Sequence, residues 1–187
     1  MGGRCIIEDS HAPIPGPKRP RYGQAMVIRP YAAGDADGVN SVALAAFAQY
    51  QEVYSDWPAL MRAVGAMAAL ADHGEIVVAE DGAGMIVGAV AYVPLFAEPR
   101  ADFFRPEWPI IRMLVVAPWA RGAGIGRKLT EQCLGRARRD GSPRIALHTS
   151  PAMEAALSLY LRMGFKLERS VPDRFGVPYG VYLLEIQ

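Results

Sequence analysis

Three glycines at alternate positions, Gly122, Gly124 and Gly126, stand between a run of β-formers ending at Pro118 and a stretch whose apolar residues recur at helical spacing. Glycine loses more conformational freedom on folding than any other residue, so three in one strand-to-helix corner imply that something approaches the backbone there. A helix N-terminus carries unpaired N–H groups and about half a positive charge. Glycines at that point let a bulky phosphate lie against those N–H groups without meeting Cβ atoms. Arg121 adds a cation beside them. Two other phosphate loops fail by counting. A Walker loop needs paired glycines five apart, but the partner position is Arg121 for Gly126 and Arg127 for Gly122. The dinucleotide fingerprint needs a glycine where Arg127 stands.

Around this corner the residue period changes repeatedly. MVIRPY, from Met26, reads as a strand, and GDADG supplies aspartates that initiate a helix. Val39, Val42, Ala43, Ala46, Phe47 and Tyr50 recur at helical spacing, and a second helix is expected over Pro58–Ala71. EIVVAE and MIVGAVAYVP, joined by DGAG, form a hairpin signature. AEPRADFFRPEW reads as a loop, and PIIRMLVVAP as a central strand covered on both faces. Beyond the glycines, Leu129, Cys133, Leu134 and Ala137 make one apolar helix stripe that ends at Gly141. RIALHT is a strand and Pro151–Met163 a helix; FKLERSV and YGVYLLEI close the chain as strands around the turn-rich VPDRFGVP. The order β-α-α-β-β-β-α-β-α-β-β describes an α/β (α+β) fold, a mixed, largely antiparallel twisted sheet of about seven strands with helices on both faces. Residues 1–24 hold four of the fifteen prolines and show no period, so they read as a flexible N-terminal arm before a single domain over 25–187.

Several classes are excluded by the totals. A formal net charge of +1 gives no global field for nucleic acid or an anionic membrane. The run Ile110–Pro118 contains Arg112 and is too short to span a bilayer. The N-terminus carries acids and prolines where a secretory signal needs an apolar segment, and MGGRCI lacks the Ser or Thr of a myristoylation signal. Two cysteines, Cys5 and Cys133, supply neither a disulfide framework nor a metal cluster, so a reducing, cytoplasmic setting without metal is expected.

The stretch Val116–Gly126, VAPWARGAGIG, resembles the acyl-CoA-binding motif of the GCN5-related N-acetyltransferases, the GNAT family: Gln or Arg, two residues, Gly, one residue, then Gly or Ala. Arg121, Gly124 and Gly126 fill those places. Met153–Phe165 resembles the family's helix carrying Asn, Ala, a Leu-Tyr pair and Gly-Phe; Ala156, Leu159, Tyr160, Gly164 and Phe165 match, and Met153 stands where Asn is common. The resemblance implies a GNAT-like sheet and acetyl-CoA as acyl-donor cosubstrate. It implies that the coenzyme pyrophosphate lies on Arg121, Gly122, Ala123, Gly124, Ile125 and Gly126, and that the thioester carbonyl meets an N–H of the central strand over Leu114, Val115 and Val116.

Tyr160 is by the same resemblance the proton donor to the departing thiolate, and a phenol of pKa about 10 keeps its proton at neutral pH. Spacing alone allows a core role, since Met153, Ala156, Leu157, Tyr160 and Leu161 fall on one helix face; the ring can pack while the hydroxyl faces the cleft. Tyr50, Tyr54 and Trp57 cluster where the N-terminal helices meet, a region bordering the acceptor pocket in this family, with ordinary packing as the alternative. The Glu that many relatives carry on the central strand falls here on Ile110. Glu107 and His148 remain as polar candidates near the acceptor; otherwise Glu107 reads as a solvated loop charge and His148 as a strand-end residue bonded to backbone. Neither cysteine suits a nucleophile. The resemblance implies direct acetyl transfer from acetyl-CoA to a primary amine, with a non-catalytic acyl-CoA-binding module as the alternative. Relatives often pair through their C-terminal strands, which makes a homodimer an expectation.

Overall fold

The computed structural model describes residues 26–186; the arm expected over residues 1–24 lies outside the described residues. Strands β1 (Val27–Pro30), β2 (Glu75–Glu80), β3 (Ile86–Val93), β4 (Ile110–Val116), β5 (Arg144–Thr149), β6 (Lys166–Arg174) and β7 (Val177–Glu185) form one seven-stranded sheet in the order β1-β2-β3-β4-β5-β7-β6. Every neighbouring pair is antiparallel except β4 with β5. Helices α1 (Ala36–Phe47) and α2 (Trp57–Gly65) lie between β1 and β2, α3 (Ile125–Arg139) joins β4 to β5, and α4 (Glu154–Arg162) joins β5 to β6. The order of elements is the one the sequence periods imply.

Cover on both faces explains why β3 is apolar throughout. Val87–Val93 are all buried, and α1 and α3 both pack on β3 and β4. α1 turns Val39, Val42, Ala43, Ala46 and Phe47 inward, and α3 turns Leu129, Cys133, Leu134 and Ala137, the stripes that helical spacing gives. A smaller cluster of Val93, Phe104, Trp108, Ile110, Ala146 and Val181 sits under the loop between β3 and β4. Arg100 fastens that loop by donating to the carbonyls of Pro94, Ala97, Arg105 and Trp108 at 2.8–3.0 Å.

Three boundaries differ from expectation. α2 ends at Gly65 and gives way to 3₁₀ turns over Met67–Asp72, because the Asn40 side chain on α1 takes the Ala68 N–H at 2.9 Å and removes it from the α-helical ladder. α4 starts at Glu154, after a turn in which Ser150 accepts from the Ala152 and Met153 N–H groups. The turn-rich VPDRFGVP is mostly strand. Pairing runs to Arg174 opposite Val177, and only Phe175 and Gly176 turn, at φ 51° and 83°. Two successive left-handed residues match the twist of a two-residue hairpin. Pro172 is tolerated because β6 is an edge strand.

This hairpin tip docks on the segment between α1 and α2. Asp56 N–H donates to the Phe175 carbonyl at 3.3 Å, and the Tyr54 and Tyr179 hydroxyls share a hydrogen bond of 3.0 Å. A Cβ on Gly176 would lie 1.7 Å from Ser55 Oγ. Gly176→Ala is therefore expected to cost about 1–2 kcal/mol from the left-handed backbone, with a further loss as Ser55 is displaced. Thermal unfolding of the variant beside the parent checks this.

Candidate functional site

The site originates in a break in β4. Ala91 pairs with Arg112 and Ala89 with Val115, so Met113 and Leu114 together oppose the single residue Val90. Met113 takes a left-handed φ of 54°, the mark of a β-bulge, which bends a strand and often borders a functional site. On the other edge β4 pairs with β5 only at Ile110 with Ala146 and Ile111 with Leu147. Past Ile111 the two parallel strands part, and the β4 edge over Arg112–Val116 has no ladder partner on β5.

A cleft of about 450 Å³ opens where they part, within the usual range of roughly 300–1,000 Å³ for small-molecule sites. One wall is β4 through Leu114, Val115 and Val116; a second is the glycine corner through Gly122, Gly124, Ile125 and Gly126. The far walls are α4, through Ala155, Ala156 and Leu159 with Met153 ahead of it, and the end of α1 with the 3₁₀ turn after it, through Ala46, Phe47 and Tyr50. Gly122 and Gly124 take φ of 84° and 76°, and a Cβ on either would meet nothing within 4 Å. Lys128 N–H makes the first helical bond of α3, to Gly124 at 3.1 Å, so the N–H groups before it stay unpaired at the cleft wall. Arg121, Arg127 and Arg162 line the same space and no acidic residue does. Unpaired amides, a helix N-terminus and three cations suit a diphosphate.

Arg121 has a second task that its motif position does not announce. Its guanidinium donates to the Ala46 carbonyl at 3.0 Å, to Gln49 Oε1 at 2.9 Å and to the Val116 carbonyl at 3.3 Å. It thus ties the end of α1 to the end of β4, with its charge at the cleft wall. Ala123 is exposed outside the lining. Met153 lines the cleft and accepts a hydrogen bond through sulfur from the Thr149 hydroxyl at 3.6 Å.

Tyr160 packs as the periodicity allows. It is 5% exposed, meets Phe165 edge-on at 5.5 Å, and does not line the cleft, whereas Ala156 one turn earlier does. Burial raises its pKa, so the phenol stays protonated. Cys133 is buried, and loss of solvent pushes its thiol up to about 12, which leaves no thiolate for a covalent mechanism.

A second cavity, of about 170 Å³, lies further back along β4. Ile110 and Arg112 of β4, His148 of β5, Arg174 of β6, and Arg100 and Phe104 of the β3–β4 loop line it. A chain of aromatic contacts links the two spaces. Tyr50 meets Tyr54 at 6.2 Å, Tyr54 bonds to Tyr179, Tyr179 meets His148 at 5.5 Å, and His148 meets Phe104 at 5.6 Å. Three of the residues expected near the acceptor, Tyr50, Tyr54 and His148, thus share one path. Trp57 packs against the main core and Glu107 is exposed on the loop; neither lines either cavity.

His148 departs from the reading of a strand-end residue bonded to backbone. Its Nδ1 is buried without a hydrogen-bond partner. Burial first, then the nearby Arg174 and Arg112 charges, lower its pKa to about 3. A base that weak is poorly matched to neutral pH. Arg112 and Arg174 were not marked as site residues by the sequence, although an arginine inside the apolar run Ile110–Val116 is a signal in itself.

Residues 43–165 match the sequence profile of the Acetyltransferase (GNAT) family. N-acetyltransferase 8F1 of Rattus norvegicus is 37% identical over 94 residues, covering 50% of this chain and 40% of that protein. N-alpha-acetyltransferase 30 of Schizosaccharomyces pombe is 42% identical over 55 residues, covering 29% of this chain and 37% of that protein. The chain thus spans less than half the length of these relatives. Among solved structures, a GNAT family acetyltransferase from Brucella melitensis in complex with acetyl-CoA superposes with a TM-score of 0.60 at 26% identity, over 88% of this chain and 90% of its own. A GNAT family acetyltransferase from Staphylococcus aureus Mu50 gives 0.64 at 18% identity, over 87% and 100%. The chain belongs to the GNAT acetyltransferase family.

The half-buried histidine, with its Nδ1 shut off from solvent, makes a pH prediction. Its folded pKa lies below the ordinary 6.5, so the unfolded chain binds the extra proton and stability falls as pH drops from 6.5 toward 3. His148→Leu is expected to flatten that part of the stability curve, read from urea unfolding between pH 7 and 4.

Proposed function

We propose that the protein is an N-acetyltransferase that moves an acetyl group from acetyl-CoA to a primary amine by direct attack. The observation that carries this reading is the cleft along the edge of β4 that β5 leaves unpaired, with the unpaired N-terminal amides of α3 on its wall. The names of the relatives and the acetyl-CoA complex of the Brucella protein support it. Acetyl-CoA supplies an activated thioester carbonyl. The glycine corner binds the diphosphate, Leu114–Val116 offer main-chain N–H groups to the carbonyl oxygen as charge gathers there, and the proton for the departing sulfur is assigned to Tyr160, whose hydroxyl must turn past Ala156 to reach the cleft. Preorganised donors of this kind are worth about 3–4 kcal/mol each.

The acceptor enters from the side where the α1–α2 segment meets the β6–β7 hairpin tip, past Tyr50, with the buried Tyr54 and Tyr179 packed behind it. Burial raises the pKa of all three phenols, so they stay neutral. With His148 held near 3 and Glu107 outside both cavities, the amine reaches the thioester already neutral or loses its proton through water. A cytoplasmic setting and a working unit over residues 25–187 belong to the same reading, and Cys133 as a buried thiol fits them. Among the described residues no helix is long and apolar enough to cross a membrane.

Two substitutions separate binding from chemistry. Gly126→Val places a side chain where even a Cβ lies 3.3 Å from Leu159 Cδ2, and is expected to weaken acetyl-CoA at least about tenfold by calorimetry, the loss of a single charge-assisted bond. Tyr160→Phe is expected to keep that affinity and slow turnover by about 10²-fold or more, read as free thiol released with a panel of amines. Unchanged turnover removes the proton-donor role. Acetyl-CoA binding with no thiol release from any amine establishes the non-catalytic module instead.

A further inference from the structure

The smaller cavity carries more positive charge than the protein answers. Arg112 and Arg174 line it, and neither makes a hydrogen bond or ion pair among the described residues. Arg174 lies over the rings of Phe103 and Phe175 at 5.8 and 5.7 Å. The two guanidiniums oppose one another: burial and the charge of Arg174 both lower the pKa of Arg112. Arg100 adds a third charge, its donors spent on four loop carbonyls. No Asp or Glu lines the space.

Among the described residues, two buried side-chain polar atoms lack a hydrogen-bond partner: His148 Nδ1 and Arg174 Nε. Both residues belong to this cavity. Buried polar atoms are nearly always partnered in folded proteins, so two such atoms on one small space call for a polar partner there. An ammonium would be repelled there, and water would meet the donors while leaving the charge unbalanced. An anion answers both.

We propose that this cavity receives the carboxylate of the acceptor, so that the amines acetylated are amino acids or other amines with a carboxylate a few bonds away. The proposal rests on the acetyl-transfer reading. A planar carboxylate matches the forked donors of guanidinium. The volume, about 170 Å³, is close to the roughly 150 Å³ of an engineered cavity that admits benzene, with Ile110 and Phe104 as apolar wall. Arg112 precedes Leu114 by two residues, no more than about 7 Å along a strand, the span an acceptor would bridge between its carboxylate and the thioester position. Tyr50, Tyr54 and Tyr179 lie between.

The test has one arm that needs no catalysis. Benzoate, benzamide and phenylphosphonate are added to the purified chain and thermal unfolding is followed. Benzoate is expected to raise the midpoint in the parent but not in Arg112→Gln or Arg174→Gln, and benzamide in none. Without ligand both variants are expected to be at least as heat-stable as the parent, because each removes an unpaired charge. A shift with phenylphosphonate alone, or none with benzoate, overturns the carboxylate assignment. In the second arm each common amino acid is assayed by thiol release beside its carboxamide and its decarboxylated amine. At least one amino acid is expected to exceed both partners tenfold in kcat/KM, with that preference cut at least tenfold in Arg112→Gln. Equal use of carboxylate and amide overturns the proposal. Calorimetry with acetyl-CoA is run alongside: no binding there defeats the transfer reading, while a benzoate shift still stands for the anion pocket.

Discussion

The site depends on β4 leaving one neighbour while holding the other. The extra residue at Met113–Leu114 bends the strand, and the pairs on either side, Ala91 with Arg112 and Ala89 with Val115, keep it bound to β3. A left-handed methionine costs about 1–3 kcal/mol, and it persists because the surrounding ladder and the core against Met113 over-determine it. The same bend ends the pairing with β5 after Ile111. One irregularity thus creates a cleft floor, a bare main-chain edge and the exit that leads to the glycine corner. Arg121 holds this arrangement from outside by joining the ends of β4 and α1.

Charge is distributed along β4 by the same logic. On the C-terminal side of the bulge the cleft gathers main-chain N–H groups, a helix pole and three arginines. On the N-terminal side the smaller cavity gathers Arg112, Arg174 and the orphaned imidazole. Burying cations without partners works against stability, and sites kept for ligands accept such a cost. Where the protein needs only structure, it pairs its charges: Arg136 and Arg139 both reach Glu75, and Arg29 reaches Asp35 and Glu80. Arg112 and Arg174 stand apart from these, lining the smaller cavity with no hydrogen bond or ion pair among the described residues.

Much of this was legible in the residues. Periodicity gave all seven strands in order, because helices and strands here bury clean stripes: Leu129, Cys133, Leu134 and Ala137 on α3, and the unbroken β3. The glycine corner was legible because its left-handed backbone leaves few residue types free to stand there. Boundaries set by distant partners were not. Asn40 ends α2 from another helix, and Ser55 meets Gly176 across the fold. The anion pocket was illegible for the same reason, since Arg112, His148 and Arg174 are brought together only by three strands. His148 reads from the sequence as a backbone-bonded strand end, and only packing against Phe103, Phe104 and Tyr179 shows its Nδ1 buried and unpartnered.

In the proposed function the unpaired amides ahead of Lys128 grip the coenzyme. Hydrogen exchange of the backbone over residues 122–127, with and without acetyl-CoA, reads that grip residue by residue. Slowed exchange confined to this corner and the β4 edge over 114–116 is the expected result. Saturating acetyl-CoA that leaves exchange at the corner unchanged would rule the grip out.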